Sequence, residues 1–315
     1  MERMVIIDGN AILHRAYHAL PEWRNQAGEA TSGVYGFFSM LLKVRDEFSP
    51  KYLAVAFDHP SPTFRHQLYV GYQHGRTKDR QMEEDIWGQV EKLEGWLSKG
   101  KAAVFQIEGF EADDVIGSLA KQATKGKKVE EAIAVTGDRD LFQLVDKKVK
   151  IYMPVKGLTE AILFDEEGVK GKMGVEPEQI IEYKALVGVA SDSYPGVPGI
   201  GPVTAVKLLA KYKTVAGIYK NLDKIEEGTV KKLIDGQEGA EVSRQLAIIK
   251  TDVPVTLNLE EAVMPSDETL VGLFEEMNYP SLIKRITGES ELTIASKNEK
   301  KAKKKKESEG QLGLV

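Results

Sequence analysis

The sequence predicts an open, mostly parallel α/β sheet that is followed by a helical unit. Three observations indicate this fold. Short apolar runs alternate with helical patterns over about the first 165 residues, three of these runs lead into an aspartate, and the strand signal fades after about Pro177. Strands that are covered on both faces form near-continuous apolar runs, and an alternation of strands and helices is typical of a parallel sheet.

The three apolar runs are the predicted central strands. They comprise residues 5–7, 52–57 and 132–135, and they lead into Asp8, Asp58 and the triplet Thr136-Gly137-Asp138. Helical patterns follow, for example at residues 35–48 and 113–122. Because ligands of open parallel sheets bind outside the carboxyl ends of the strands, we expect the three aspartates at one edge of the sheet.

The chain divides into three predicted parts. Residues 1–175 form the sheet domain, and residues 176–288 form a second domain of short helices. Residues 289–315 contain seven lysines between Lys297 and Lys306 and few apolar residues, so they are predicted to be disordered.

The composition is that of an ordinary globular chain, with 315 residues, 29% of them charged, and a net charge of −5. There is no cysteine, which excludes disulfides and thiolate metal sites. No apolar run is long enough to span a membrane. We expect a monomeric, cytoplasmic protein with no membrane partner. The acidic balance does not exclude nucleic acid, because separate lysine and arginine patches can hold phosphates.

The acidic residues of the sheet domain and the following loop form recurrent groups. They are Asp8 and Asp58 at strand ends, the group Glu111, Asp113 and Asp114, the pair Asp138 and Asp140, and Asp192. Residues three apart share a helix face, and residues two apart on an extended turn face the same side. If these carboxylates meet in one cleft, a hard divalent cation is needed to offset their repulsion. Two such ions about 3.5–4 Å apart can clamp a phosphodiester for in-line attack.

A plain structural role is the alternative for each acidic residue taken alone. Asp138 is a plausible helix N-cap, and Asp113 and Asp114 favour a helix N-terminus. The combination of three strand-end aspartates with the two acidic groups favours the metal site.

Ordered motifs along the chain resemble the 5′-3′ exonuclease/flap-endonuclease domain of bacterial DNA polymerase I and its stand-alone relatives. The resemblance covers about residues 3–288. The motifs are Ile7-Asp8-Gly9-Asn10, Arg15-Ala16-Tyr17-His18-Ala19, Gly33-Val34-Tyr35-Gly36-Phe37, Phe57-Asp58, Thr63-Phe64-Arg65-His66, Gly109-Phe110-Glu111-Ala112-Asp113-Asp114, Thr136-Gly137-Asp138-Arg139-Asp140-Leu141, Ser191-Asp192, and the run from Pro195 to Gly201 with Thr204-Ala205.

The resemblance implies a PIN-like catalytic domain, a helical arch over the site at about residues 71–100, and a helix–three-turn–helix in the DNA-binding domain. It implies removal of 5′ flaps or RNA primers from DNA in replication and repair, at the nucleoid. It also implies two Mg²⁺ or Mn²⁺ ions held by Asp8, Asp58, Glu111, Asp113, Asp114, Asp138, Asp140 and Asp192.

The candidate DNA contacts follow from the same motifs. A glycine-rich turn that enters a helix exposes N–H groups for phosphate. The candidates there are Gly196, Gly199, Gly201, Thr204 and Lys207, with Arg15 nearer the front of the chain.

Arginine and tyrosine side chains are the candidates at the scissile phosphate. Arg65 and Arg76 are the candidate cations, since a guanidinium holds phosphate oxygens bidentately. Tyr35 or Tyr72 is a candidate for stacking on a terminal base, with core packing as the alternative for either one.

Three positions depart from the family pattern. An aspartate that normally binds one metal is Val189, the arch lysine is Gln73, and the Glu-Lys after Gly201 is Pro202-Val203. Each change removes charge, so we expect a weakened second metal site and a functional but weakened or specialised nuclease.

A histidine pair and the terminal segment each allow a functional and a plain interpretation. His14 and His18 have a spacing that can bind zinc, but no further ligand accompanies them and packing is favoured. The terminal segment 311–315, Gln-Leu-Gly-Leu-Val, resembles the bacterial sliding-clamp-binding peptide, with a chance tail as the alternative.

Two other functions compete with the nuclease. One is a catalytically weakened DNA-junction binder on the same fold, and the other is a PIN-type ribonuclease. The many acidic residues argue against the first, and the helical second domain argues against the second.

Overall fold

A six-stranded sheet forms the centre of the molecule. We describe it from a computed structural model that covers residues 2–25, 28–74 and 80–289. The strands are β1 Arg3–Asp8, β2 Tyr52–Phe57, β3 Ala103–Gln106, β4 Glu131–Val135, β5 Val149–Lys156 and β6 Glu160–Phe164. Their order is β3-β2-β1-β4-β5-β6, and only the edge strand β6 runs antiparallel to its neighbour. The predicted fold class, an open and mostly parallel sheet, is confirmed.

Helices cover both faces of this sheet and form the second part of the chain. The bounds are α1 Gly9–Ala19, α2 Ser32–Phe48, α3 Phe64–Leu68, α4 Arg80–Lys99, α5 Ala112–Lys125, α6 Glu166–Met173, α7 Ile180–Val187, α8 Pro202–Tyr212, α9 Val215–Tyr219, α10 Glu227–Asp235, α11 Gln237–Ala247, α12 Asp267–Glu276 and α13 Pro280–Thr287. None of the helices in the described ranges has the length and hydropathy needed to cross a membrane.

Each face of the sheet carries its own apolar core. Side chains of β1 alternate between the two cores: Met4 and Ile6 pack with α5, and Val5 and Ile7 pack with α2 and α4. This alternation is what a strand with two covered faces requires. It explains why residues 4–7 of β1 are all apolar.

The helical part includes the segment for which a helix–three-turn–helix is predicted. Helices α7 and α8 pack on each other and are joined by the glycine-rich loop 188–201. The last two helices, α12 and α13, return to the sheet domain. There Phe274 and Leu282 enter the core under α2.

The sequence did not indicate strands β3, β5 and β6. Strand β3 has four residues, and all are only partly buried. Strand β6 lies at the edge with Ile162 and Leu163 exposed. Short edge strands such as β3 and β6 lack the continuous apolar run of a central strand, so they give little signal. In the longer strand β5, Lys150 and Pro154 interrupt the apolar run.

Candidate active site

The end of strand β1 holds Asp8 in a fixed orientation. Asp8 is the N-cap of α1, and its Oδ1 accepts a hydrogen bond from the Ala11 amide at 2.9 Å. Its Oδ2 accepts from the Thr136 hydroxyl at 2.8 Å, across the gap to the end of β4. Strand order reverses between β1 and β4, which is the position where open sheets bind ligands.

Asp58 and the first turn of α5 form the neighbouring wall. The Asp58 amide donates to Asn10 Oδ1 at 2.9 Å, and Asp58 Oδ1 accepts from the Ala112 amide at 2.8 Å. Glu111 is the N-cap of α5, and Asp113 lies in the first turn. The helix N-terminus favours negative charge there.

These carboxylates line one open cavity of about 530 Å³. Five of the eight predicted metal ligands contribute to its lining, namely Asp8, Asp58, Glu111, Asp113 and Asp138. The lining also contains prolines, histidines, Gln73 and Trp87. The structure thus brings together residues that are up to 130 positions apart in sequence.

Burial and mutual repulsion favour the protonated forms of these groups. Burial, followed by the charge of Asp58, raises the pKa of Asp8 to about 7. Burial and Asp140 raise the pKa of Asp138 to about 8. Burial also raises the pKa of Glu111, and that of Asp113 well above its ordinary value. A bound cation would reverse this effect, because it stabilises the ionised carboxylates.

Asp113 provides the structural test of fit for a metal. Its Oδ1 is buried and accepts no hydrogen bond from the described residues. Buried polar atoms are normally paired, so a carboxylate oxygen without a partner at a cavity wall fits a bound cation. No three acidic or histidine side chains of residues 2–25, 28–74 and 80–289 form a preformed metal cage. The carboxylate oxygens are donors that fit Mg²⁺ or Mn²⁺. The side chains would have to move closer together to coordinate the ion.

Arg65 and Asp114 are both buried and bond to each other. Arg65 is 1% exposed and Asp114 is 0% exposed. The guanidinium donates to both Asp114 oxygens at 2.7 and 3.1 Å, to Glu111 at 3.1 Å, and to the carbonyls of Leu246 and Ile248. The five N–H donors are used internally. In this conformation Arg65 has no N–H group left for a phosphate, and both Asp114 oxygens accept hydrogen bonds within the protein, so the geometry does not support either predicted role.

The two tyrosines are also occupied by the protein. The Tyr72 hydroxyl donates to Glu111 at 2.9 Å, and its ring is buried beside Tyr194. Tyr35 packs edge-on against Trp23 and Tyr279, with ring centroids 5.0 and 5.3 Å apart. The structure supports the packing alternative for both, and it gives Tyr72 the role of orienting Glu111.

The remaining predicted ligands, Asp140 and Asp192, do not line the cavity. The buried Lys184 ammonium forms an ion pair with Asp140 and lies 5.8 Å from the Tyr194 ring centroid. Asp192 closes a short turn beside the rim, where its carbonyl accepts from the Gln73 amide at 3.1 Å. Val189 packs on the cluster of Tyr72, Tyr194, Leu246 and Ala247. Val189 thus makes an apolar contact at the position where the family pattern has a metal-binding aspartate.

In the glycine-rich loop, the Gly196 amide already forms a hydrogen bond within the protein. Gly196 has a φ of +59° and touches the backbone of Gly188, so a side chain has no room there. Its amide donates to Ser243 Oγ at 2.9 Å in a buried position. The Gly196 amide is therefore engaged within the protein and not exposed for a phosphate in this structure, and the turn requires a glycine at this position.

The other loop candidates lie at the surface, where the expectation remains open. Gly199, Gly201 and Lys207 are exposed and Thr204 is partly exposed. Lys232 of α10 joins them, with its Nζ 3.3 Å from the Gly199 carbonyl. Sequence reasoning missed Lys232, because nothing along the chain connects it with the loop.

Arg15 and the histidines of α1 lie beside the cavity. Arg15 donates to the Gly157 carbonyl at 3.1 Å, and it shares a shallow pocket with His14, His18 and Asp138. The His18 ring packs edge-on against Tyr17, and no third ligand joins the histidines among the described residues.

Several predictions fall on parts of the chain that are not described. Arg76 and the segment 75–79 of the predicted arch lie outside the described residues, as do the lysine-rich tail and the clamp-like segment 311–315.

Comparison with known proteins gives two family profiles in succession. The profile "5'-3' exonuclease, N-terminal resolvase-like domain" matches residues 3–174, and "5'-3' exonuclease, C-terminal SAM fold" matches residues 175–269. DNA polymerase I of Bacillus caldotenax is 37% identical over 92% of this chain and 33% of its own length. The Bacillus subtilis enzyme is 35% identical over the same shares. The chain thus spans about a third of the length of these curated relatives.

Solved structures share the fold at low sequence identity. The 5'-exonuclease of T5, solved with bound zinc ions, matches with a TM-score of 0.65 and 19% identity over 93% of this chain and all of its own. Human GEN1 in complex with Holliday junction DNA matches with a TM-score of 0.59 and 15% identity, over 90% of this chain and 71% of its own.

Proposed function

The chain belongs to the 5′-3′ exonuclease family, and from this premise we propose that it hydrolyses DNA phosphodiester bonds beside a free 5′ end or 5′ flap. The observation that carries the proposal is the cavity floor of five carboxylates, in which the buried Asp113 Oδ1 has no hydrogen-bond partner among the described residues. A non-catalytic surface has no use for such repulsion, because it costs stability unless a cation offsets it.

We propose that two Mg²⁺ or Mn²⁺ ions complete this site. Asp8, Asp58, Glu111, Asp113 and Asp138 would hold them, with Asp140 and Asp192 at the outer side. When bound, such ions lower the pKa of a water nucleophile and stabilise the leaving 3′ oxygen. The donor set contains only oxygen atoms, which suits these hard cations.

The protein's own residues supply orientation. Thr136 and the first turn of α1 fix the two oxygens of Asp8. Tyr72 and Arg65 fix Glu111 from the opposite side. Because side chains held on both sides keep their rotamers, the carboxylates are positioned before the substrate arrives.

The loop before α8 would hold the duplex at a distance from the site. Gly201 caps α8, and the exposed Gly199, Lys207 and Lys232 lie near this helix N-terminus. Helix N-termini and lysines bind phosphates without reading base sequence. The substrate would therefore be recognised by its shape and its free end.

A second candidate function is a DNA-junction binder with little or no hydrolysis. One observation favours it: Asp140 is neutralised by Lys184, and the apolar Val189 stands where the family has an aspartate. Loss of one ion would leave DNA binding intact while cleavage slows.

One experiment separates these functions. The protein is incubated with an end-labelled 5′-flap duplex, a flap of RNA on DNA, and a matched single-stranded RNA, each with Mg²⁺, Mn²⁺ or EDTA. Cleavage of DNA at the flap base that EDTA abolishes supports the nuclease. Retarded mobility without cleavage indicates the junction binder, and cleavage of RNA alone indicates the ribonuclease.

We also propose a sliding-clamp partner for the terminal segment 311–315. The support is its sequence, Gln-Leu-Gly-Leu-Val, after a lysine-rich stretch. The full chain should retain the clamp in a pull-down, and a chain that lacks the last five residues should not. Equal retention of both would reject the idea.

A further inference from the structure

Trp87 differs from the other aromatic side chains of the site. It lies on α4, is 37% exposed, and lines the same cavity as the carboxylates. It makes neither a ring contact nor a hydrogen bond within the described chain. Its indole face and its Nε1–H group are therefore available to a ligand.

Trp87 does not lie on the buried face of α4. The buried face of α4 consists of Ile86, Val90, Leu93 and Leu97, which enter the core under α2. Trp87 follows Ile86 directly and is turned about 100° away from it on a helix. Trp87 belongs to no apolar cluster of the described residues. Core packing therefore does not account for it.

The other two tryptophans of the chain make ring contacts within the protein, although Trp23 is 41% exposed. Trp23 lies 5.0 Å from the Tyr35 ring, and Trp96 packs on the core with Lys99 4.4 Å from its ring.

The apolar side chains of the cavity lining suit a base. The cavity that Trp87 lines also contains Pro60 and Pro62, which offer flat apolar surface, together with His14, His59 and His66. Aromatic side chains bind nucleobases through their faces, and this stacking tolerates any base. From this geometry we infer that Trp87 stacks on an unpaired nucleobase of the strand that enters the cavity. The inference rests on the proposed function, because it takes single-stranded DNA at a 5′ end as the ligand.

The first test is spectroscopic and needs no cleavage. In the full chain with Trp23→Phe and Trp96→Phe, Trp87 is the sole tryptophan. A DNA duplex with a short 5′ overhang of thymidines is added in EDTA. We expect the Trp87 emission to be quenched on binding, and the quenching to vanish when abasic residues replace the thymidines. Unchanged emission at saturating DNA would overturn the inference.

The second test measures affinity for the same DNA. Trp87→Ala should weaken binding by about 5- to 150-fold, the range for loss of one base–aromatic stack, and Trp87→Phe should retain most of it. Leu68→Ala is the matched control, because Leu68 is also exposed but does not line the cavity. Both Trp87 variants should keep the thermal midpoint of the parent chain.

The abasic overhang distinguishes stacking from a structural effect. The parent and Trp87→Ala should bind it equally, since neither can form the stack. A loss in Trp87→Ala that persists on abasic DNA would contradict the inference.

Failure of the proposed function would look different. If the parent chain shows base-dependent quenching but cleaves no DNA with Mg²⁺, the nuclease assignment fails and the stacking stands. If the parent cleaves a 5′ overhang while Trp87→Ala leaves its KM unchanged, the stacking fails and the nuclease stands.

Discussion

Arg65 shows at the residue scale how the site is held. Its guanidinium joins Glu111 and Asp114 of the α5 terminus to the carbonyls of Leu246 and Ile248 at the end of α11. One buried cation thus connects the carboxylates at the start of α5 with the helical part. Sequence reasoning placed Arg65 at the phosphate, because an arginine beside acidic residues does not reveal whether it faces outward.

Arg65→Met should destabilise the protein strongly. Removing one partner of a buried charge cluster leaves Asp114 uncompensated, a loss of about 3–5 kcal/mol in the free energy of unfolding. Urea denaturation measures it. Lys99→Met is the matched control, since Lys99 also pairs with an acidic residue, Glu276, but at the surface; its effect should be small. Equal effects of the two changes would refute the structural role of Arg65.

Val189→Asp should strengthen divalent-metal binding. The variant restores a carboxylate near Asp192 but places it against the cluster of Tyr72 and Tyr194, so the metal-free protein should be less stable. Calorimetric titration with Mn²⁺ measures the affinity. Val189→Asn has a similar size and no charge, and it should not produce the gain. Unchanged Mn²⁺ affinity in the aspartate variant would contradict a weakened second site.

At the scale of elements, the ends of β1, β2 and β4 and the start of α5 gather the carboxylates. The raised pKa values of Asp8, about 7, and Asp138, about 8, make the folded protein bind more protons than the unfolded chain above the ordinary value of 3.8. Their contribution to stability is therefore complete below about pH 4 and is lost as pH rises to about 8.

Metal-free protein should consequently have a lower thermal midpoint at about pH 8 than at about pH 6. Mg²⁺ should raise the midpoint more at the higher pH, where protons no longer compete with it. Thermal unfolding in EDTA and in Mg²⁺ measures both effects. Asp8→Asn should flatten the pH dependence, and a parent protein whose midpoint rises over this range in EDTA would be at odds with the expectation.

The loop before α8 gives a prediction about phosphate binding. Lys207→Ala and Lys232→Ala should each lower duplex affinity and reduce the slope of log K against log salt by about 0.9, the value for one phosphate contact. Lys231→Ala is the matched control, because Lys231 is the exposed neighbour of Lys232 on α10 and has no contact with Gly199. Slopes that stay equal in all three variants would exclude this surface.

For the whole molecule, the return of α12 and α13 to the sheet domain closes the architecture. Phe274 is fully buried and packs against Phe38 with ring centroids 5.3 Å apart. The last described helices therefore stabilise the first part of the chain.

Phe274→Ala should lower the free energy of unfolding by about 3–5 kcal/mol, as expected for a buried aromatic truncated to alanine. Because Phe274 does not line the cavity, the initial cleavage rate of the folded fraction should stay near that of the parent. Chemical denaturation and a flap assay at low temperature measure the two quantities. Val203→Ala, a truncation at a largely exposed position, is the control for stability.

The sequence alone determined the parallel sheet and the group of carboxylates, because buried strands and strand-end aspartates leave a local signal. The apolar runs at residues 5–7 and 52–57 became β1 and β2, and Asp8, Asp58 and Asp138 meet at one cavity. Local sequence patterns do not show whether a given polar side chain is exposed or buried. Only the tertiary structure decided that Arg65 and Asp114 are buried, that Lys184 pairs with Asp140, and that Trp87 faces the cavity. Each of these depends on the packing of segments far apart in sequence, which fixes burial and charge pairing.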